Sequence, residues 1–390
     1  MISPEKPISY GRQNITEEDL EVVRQVMLSD YLTQGSKIDE FEEAFTKYVG
    51  SKYAVALSNG TAALHLCALA LGVNEQSKVI VPSITFAASA NCIKYCGGEV
   101  YFCDIDSNTY TADYENIEAL IESKPAGFFD GLVLVDFAGY AVNLEKFRKL
   151  ADKHGLWILE DACHAPGGYF IDSLGQKQAC GNGQFADLAI FSFHPVKHIT
   201  TGEGGMITTN NHELFKKLQV LRTHGITRDP ALLQANDGGW YYEMQMLGFN
   251  YRLTDFQAAL GTSQLKRAEA GVNRRRHLAA RYTKAFENKS WNLGNSGVTE
   301  GHAYHLYILQ SPERKKLYDY LRTKKIFTQV HYIPVHKMPY YKQFPETPRF
   351  LEQAEKYYQS CLSLPMYPEL SDEEQDYVIE QIHSFYEQTK

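Results

Sequence analysis

Nothing in this 390-residue chain approaches the roughly 18 uninterrupted apolar residues that a helix needs to cross a bilayer. Its start, Met1-Ile2-Ser3-Pro4-Glu5-Lys6, lacks the positive opening and apolar run of a signal peptide. Cysteine is scarce: there are seven, an odd number scattered from Cys67 to Cys361, which does not make a disulfide framework. Together these absences point to the cytoplasm. Positive charge is also in deficit, with 39 lysines and arginines against 47 aspartates and glutamates. The net charge of −8, with no long basic tract, argues against non-specific nucleic-acid binding, so an anionic substrate must be met by local cations. Internal repeats and low-complexity segments are missing too.

The length and the 44% apolar content are enough for two or more structural units around large cores. Residues 15–30 place Ile15, Leu20, Val22, Val23, Val26 and Met27 at helical spacing, and a second amphipathic helix carries Phe41, Phe45 and Tyr48 on one face. From residue 53 short apolar runs alternate with helix-patterned segments. The predicted strands are Tyr53–Leu57, Val79–Val81, Val100–Phe102, Leu132–Val135, Trp157–Leu159, Leu188–Phe193 and Met206–Thr208; predicted helices between them include Ala62–Leu71, Phe86–Tyr95 and Leu144–His154. Such alternation specifies an α/β fold, a mostly parallel seven-stranded sheet covered on both faces, with chemistry collected at the carboxyl ends of its strands. Beyond Gly248 the pattern changes. Helices through Phe256–Leu265, Arg274–Tyr282 and Lys315–Lys325, with strands at Ala303–Leu309 and Phe327–Tyr332, predict a smaller α+β domain. The expected division is 1–248 and 249–390.

Four features meet at these strand ends. Ser58-Asn59-Gly60-Thr61-Ala62 is a strand-to-helix turn, whose free backbone N–H groups and hydroxyl suit an anion. Phe86, after the second strand, presents a flat ring that can stack on another. Glu160-Asp161 closes the strand Trp157–Leu159, where a carboxylate can hold the proton of a pyridine nitrogen; His164 follows three residues on and could bond a ring hydroxyl. Lys197, in Phe191-Ser192-Phe193-His194-Pro195-Val196-Lys197-His198, follows an apolar strand, with Ser192 five residues before it and glycines after it. That arrangement offers an amine to a carbonyl compound, and a pyridoxal phosphate Schiff base is its leading use. Each feature alone is ordinary. The order phosphate turn, ring stacker, acid, lysine is not.

This constellation resembles the sugar aminotransferases of the DegT/DnrJ/EryC1/StrS family, of the aspartate-aminotransferase fold type. Further stretches that carry the likeness are Leu32-Thr33-Gln34-Gly35, Gly248-Phe249-Asn250-Tyr251-Arg252-Leu253 and His331-Tyr332-Ile333-Pro334-Val335-His336. The resemblance implies pyridoxal 5'-phosphate as cofactor, with pyridoxamine 5'-phosphate formed in turnover, and catalytic roles for Lys197 and Asp161. It implies cofactor contacts from Asn59, Gly60, Thr61, Ala62, Phe86, Asp161, His164, Ser192 and Lys197. Asn250 is expected to reach the phosphate from a partner subunit, making a homodimer the functional unit. Within the family, Ile8-Ser9-Tyr10-Gly11-Arg12-Gln13, Trp240-Tyr241-Tyr242-Glu243-Met244-Gln245, Tyr332 and Leu362-Ser363-Leu364-Pro365 look most like the pseudaminic acid branch. That implies transfer of the amino group of L-glutamate to C4 of a UDP-linked 4-keto-6-deoxy sugar. Substrate contacts are expected from Tyr10, Thr33, Gln34 and Tyr332, and from Arg222, Arg228 and His331 as partners of a sugar diphosphate. His198 and Pro166 depart from the commoner family residues, and neither removes a catalytic group.

Competing readings are weaker. Gly181-Asn182-Gly183-Gln184-Phe185-Ala186 matches a dinucleotide pattern, but a strand follows where the fingerprint must open a helix. Cys92, Cys96 and Cys103 have no partner pair at metal-ligand spacing, so no metal is expected. His302 and His305 are expected to be packed or solvated, and Arg274-Arg275-Arg276 to be the wet face of a helix. Amination of a different nucleotide keto sugar, at C3 or in another C4 configuration, stays open. A deoxysugar 3-dehydratase would resemble this family with histidine in place of Lys197, and a non-catalytic binder has no use for the lysine–aspartate pair.

Overall fold

The near-continuous apolar runs become one seven-stranded sheet in the computed structural model, which describes residues 6–294 and 299–388. In chain order its strands are β1 (Tyr53–Leu57), β2 (Lys78–Pro82), β3 (Glu99–Cys103), β4 (Gly131–Val135), β5 (Trp157–Asp161), β6 (Leu188–Ser192) and β7 (Gly205–Thr209). Across the sheet the order is β1-β7-β6-β5-β4-β2-β3. β7 runs antiparallel to both its neighbours, and the other ladders are parallel. Sequence and structure agree on all seven to within two residues, because strands covered on both faces must be apolar throughout. Helices cover the sheet on both sides: Gly60–Ala70 and Ala88–Tyr95 pack in one core with Val55, Val81 and Ile190, while Leu144–His154 packs in another with Ile80, Leu132 and Ile158.

The chain re-enters the sheet so that β1, β2, β4, β5 and β6 all end along one edge. Ser58, Ser83, Asp136, Asp161 and Ser192 stand at those ends. In open α/β sheets this is where ligands bind.

Two further cores hold the outer elements. Phe41 and Phe45, on the helix Ser36–Val49, pack with Phe191, Phe193, Leu253 and Ala258, so the helix Asp255–Leu265 sits with the sheet rather than with the later residues. The last core gathers Leu278, Tyr282, Leu317, Leu362 and Val378, and it includes Ile8, whose short strand pairs with Ile326. The packing therefore crosses the expected division at residue 248 in both directions. We propose a two-unit division in which Ile8 joins the second unit and Asp255–Leu265 the first.

Local differences have local causes. The predicted strand Ala303–Leu309 begins only at Tyr307, because Ala303 and Leu306 donate their N–H groups to Gly139 and Ala138 instead of to a strand. The strand predicted over Phe327–Tyr332 is short, Ile326–Phe327, and the chain beyond it bends to carry Tyr332 to the sheet edge. Arg275 is not on a wet face: it is 1% exposed, and its guanidinium donates to the carbonyl of Met366 at 2.7 Å and those of Tyr304 and His305 at 3.3 Å. Among the described residues no helix is long and apolar enough to cross a membrane.

Candidate active site

A cavity of about 1050 Å³ opens at the strand ends. One end is built for an anion. The helix Gly60–Ala70 begins there, with Asn59 as its cap: the Asn59 side chain accepts the Ala62 N–H at 2.8 Å and its carbonyl the Ala63 N–H at 3.1 Å. The N–H groups of Gly60 and Thr61 are then the ones with no intrahelical acceptor. Ser192, at the end of β6, faces this turn so closely that a Cβ on Gly60 would meet the Ser192 Cβ at 3.0 Å. A Cβ on Gly205 would lie 2.5 Å from the Asn59 carbonyl oxygen. Only glycines let the turn and the two strands approach this far.

Asp161 stands across the cavity. Successive strand residues point to opposite faces, so Asp161 lines the cavity while Glu160 turns into the protein and accepts the Gly181 N–H at 3.0 Å. Glu160 meets Asp136 and Cys180 there, with their ligating atoms within 4.8 Å of one another. Burial, then the Asp136 charge, pushes the Glu160 carboxyl well above its usual range, so this hidden pair retains a proton. Asp161 is held differently: Oδ2 accepts the Ser89 hydroxyl at 2.7 Å and Oδ1 the Cys163 N–H at 3.2 Å. Phe86 sits at the mouth, 61% exposed, with its ring centroid 6.1 Å from that of Tyr332.

Lys197 lies on the loop between β6 and β7. Phe193 and Ile199 are fully buried on either side of it. The Phe193 N–H donates to Gly204 at 2.9 Å, and the Lys197 N–H to His194 at 2.9 Å. The side chain enters the cavity half-buried, and among the described residues its ammonium makes no hydrogen bond or ion pair. Burial lowers its pKa from the ordinary lysine value, Arg275 adds to that, and Cys163 and Asp161 oppose it. A lysine so placed yields a neutral amine more readily than a surface one.

Histidines form the remaining wall. His164 and His305 line the cavity with ring centroids 4.3 Å apart, and His198 lies 5.7 Å from His305. Burial holds all three well below the ordinary imidazole value, so the wall is neutral and adds no charge beside Lys197.

Of the residues singled out in the sequence, the cavity brings together Tyr10, Asn59, Gly60, Thr61, Ala62, Phe86, Asp161, His164, Ser192, Lys197 and Tyr332. Thr33, Gln34, Arg222, Arg228, Asn250 and His331 do not line it. Thr33, Gln34, Arg228 and Asn250 are exposed on this subunit. Arg222 stands apart from the cavity: its Nη1 donates to Glu42 and to the Ala56 carbonyl at 2.9 Å, which ties the side chain to the helix Ser36–Val49 and β1. His331 is buried behind Tyr10 and Tyr332, with its Nδ1 2.8 Å from the Ser363 hydroxyl. Thr85, Ser89 and His305 also stand in the cavity wall, and no sequence motif announces them there.

Comparison with known proteins gives one consistent picture. Residues 13–383 match the DegT/DnrJ/EryC1/StrS aminotransferase family. The chain is 36% identical over 389 residues to the UDP-4-amino-4,6-dideoxy-N-acetyl-beta-L-altrosamine transaminase of Campylobacter jejuni, covering 98% of each chain. It is 36% identical over 384 residues to the spore coat polysaccharide biosynthesis protein SpsC of Bacillus subtilis, covering 96% of each. Among solved structures, Helicobacter pylori PseC, an aminotransferase involved in pseudaminic acid biosynthesis, superposes with a TM-score of 0.87 at 30% identity, over 98% of this chain and all of that one. The putative sugar aminotransferase Spr1654 of Streptococcus pneumoniae in its PMP form gives a TM-score of 0.88 at 28% identity, over 98% of this chain and 100% of that one; a PLP form of it is also similar.

Proposed function

The chain belongs to the DegT/DnrJ/EryC1/StrS aminotransferase family, and we propose that it carries the amino group of L-glutamate to C4 of a 4-keto-6-deoxy nucleotide sugar. A sugar aminotransferase of this family uses pyridoxal 5'-phosphate. The observation that carries the reading is the placement of Lys197, a half-buried amine without a bonded partner among the described residues, in one cavity with Asp161 and the helix start at Gly60.

The residues fit that cofactor. The turn Asn59–Ala62 and Ser192 would take its phosphate, where glycine at 60 and 205 leaves a cradle that a Cβ would fill. Phe86 would stack on the ring, Asp161 would pair with the ring nitrogen, and His164 would approach the ring hydroxyl. When bound, the cofactor supplies an aldehyde that takes up amines and a ring that withdraws electrons from the neighbouring carbon. The rest falls to this chain. The Lys197 Nζ takes the proton from the carbon that bears the donated amine and delivers one on the other side of the transfer, so one base serves both halves. Asp161 keeps the proton on the ring nitrogen. The neutral histidine wall places no competing charge beside the lysine, and Tyr10 and Tyr332 would position the sugar. We propose a homodimer in which Asn250 of the partner subunit completes the phosphate site; Asn250 is exposed and does not line this subunit's own cavity, which supports that assignment.

A UDP-linked sugar of pseudaminic acid biosynthesis is supported by the transaminase relative and by PseC. Equal identity to SpsC favours a second reading, in which the acceptor is another nucleotide keto sugar. The purified protein should be yellow and bleach when L-glutamate is added; a colourless protein would sink the aminotransferase assignment of this cavity. Incubation with UDP-, dTDP- and GDP-linked keto sugars, with each product read by NMR, decides the acceptor.

A further inference from the structure

A second layer of side chains stands behind Asp161. Ser89 and Thr85 are each 1% exposed, and their hydroxyl oxygens lie 2.7 Å apart. The Ser89 hydroxyl is also 2.7 Å from Asp161 Oδ2, an atom 72 residues away in sequence. A serine carries one hydroxyl hydrogen, and a carboxylate oxygen only accepts. The Ser89 hydrogen is therefore committed to Asp161, and Thr85 must donate to Ser89. Two hydroxyl dipoles are lined up head to tail with their positive ends toward the carboxylate.

We infer that Ser89 is a positioning residue for Asp161, and that Thr85 fixes the direction in which Ser89 donates. A buried helical serine with no such task bonds back to a carbonyl of its own helix. Ser89, on the helix Ala88–Tyr95, instead turns out of that helix and reaches past the end of β4 to β5. Its contact fixes Oδ2, and the Cys163 N–H fixes Oδ1. Holding both oxygens from different segments stops the carboxylate from rotating about its own axis. The orientation in which Asp161 meets the ring nitrogen is thereby set before any cofactor arrives, which is the usual requirement for a precise polar contact.

This rests on the role proposed above for Asp161, and the test separates the two. Ser89→Ala, Thr85→Val and Asp161→Asn are each prepared as holoenzyme, and two quantities are read: the dissociation constant of pyridoxal 5'-phosphate and the pH midpoint of the bound cofactor's visible absorption band. Ser89→Ala is expected to weaken cofactor binding about tenfold, the worth of a hydrogen bond to a charged group. It should move the midpoint in the same direction as Asp161→Asn, by less. Thr85→Val, which keeps shape and loses the hydroxyl, should do the same with about a threefold weakening. If Asp161→Asn moves both quantities while Ser89→Ala and Thr85→Val move neither, Ser89 is only a packing residue and the inference is overturned. If Asp161→Asn moves neither, the assignment of Asp161 fails first and this inference with it. Should Ser89→Ala fail to fold, Thr85→Val decides: a shift supports the relay and an unchanged midpoint rejects it.

Discussion

The Nε2 atom of His164 lies 3.2 Å from the Tyr332 hydroxyl, while its Nδ1 accepts the Ala138 N–H at 3.2 Å. A neutral imidazole has one donor nitrogen and one acceptor. The backbone contact assigns the hydrogen to Nε2, so Tyr332 is the acceptor of this bond and keeps its own hydrogen for the cavity. Burial, then the Asp161 charge, raises the Tyr332 pKa far above the ordinary phenol value, which keeps that hydrogen in place.

Tyr332→Phe should therefore lower kcat/KM for the sugar acceptor by at least roughly tenfold, the worth of one buried hydrogen bond, since it also removes the acceptor of the His164 Nε2–H. Steady-state kinetics with acceptor varied at saturating L-glutamate checks this. A variant as active as the parent would mean that the hydroxyl points away from the substrate.

Lys197→Ala should abolish turnover, by at least about a thousandfold for a residue that acts as both nucleophile and base, and should still take up free cofactor. Borohydride reduction of the parent followed by peptide mass mapping should label position 197 and no other lysine.

Arg222 gives a prediction opposite in kind. Its partner Glu42 is buried, and burial raises the Glu42 pKa even though Arg222 opposes it. Removing the arginine takes away that carboxylate's ion-pair partner and leaves it the Ala56 N–H at 2.7 Å. Arg222→Ala should cost about 3 kcal/mol of stability, seen as a lower melting temperature, and should leave the KM for the nucleotide sugar within about twofold, since no contact to it is lost. A raised KM with unchanged melting would restore the arginine to the substrate site.

Acid should weaken the fold through its buried histidines. Burial, followed by the Lys197 charge, lowers His164, His305 and His331, the last to about 3. Other charged or titratable groups near them include His198, Arg275, Tyr10 and Tyr332. In the unfolded chain each histidine titrates near 6.5. Below that pH the unfolded state binds protons that the folded state refuses, so stability is complete above about pH 6.5 and falls as pH drops. Each of the three contributes a slope of up to about 1.4 kcal/mol per pH unit. Thermal melts between pH 7 and 5 should show the midpoint dropping, and His305→Gln should flatten the curve; a pH-independent midpoint would contradict these burials.

Much of this was legible in the chain because of where the apolar runs stop. Strands buried on both faces leave continuous signatures, and Asp161, Ser192 and Lys197 are readable as polar residues at or after their ends. Contacts made across the sequence were not. Ser89 meets Asp161 72 residues away, and Arg222 meets Glu42 at a separation of 180. No local pattern announces such pairs. Arg275 is the instructive intermediate. The triple arginine looked like a solvated face, yet Val272, Arg275, Ala279 and Tyr282 share one stripe of the helix Ala268–Phe286, and all four are buried. The period of the helix placed Arg275 inside, whatever its charge suggested.

The loop that bears Lys197 is closed at its base by Ser192 opposite Gly205, the last matched pair of the antiparallel β6–β7 ladder. Both stems belong to the centre of the sheet, so neither can slide without carrying a covered strand with it. A chain built this way can gain or lose residues around the rim of its cavity, and so exchange one sugar for another, while the amine stays where it is. Adding a residue between the buried Phe193 and Ile199 would be a different matter, because the surplus would fall on the short stretch that carries the lysine itself.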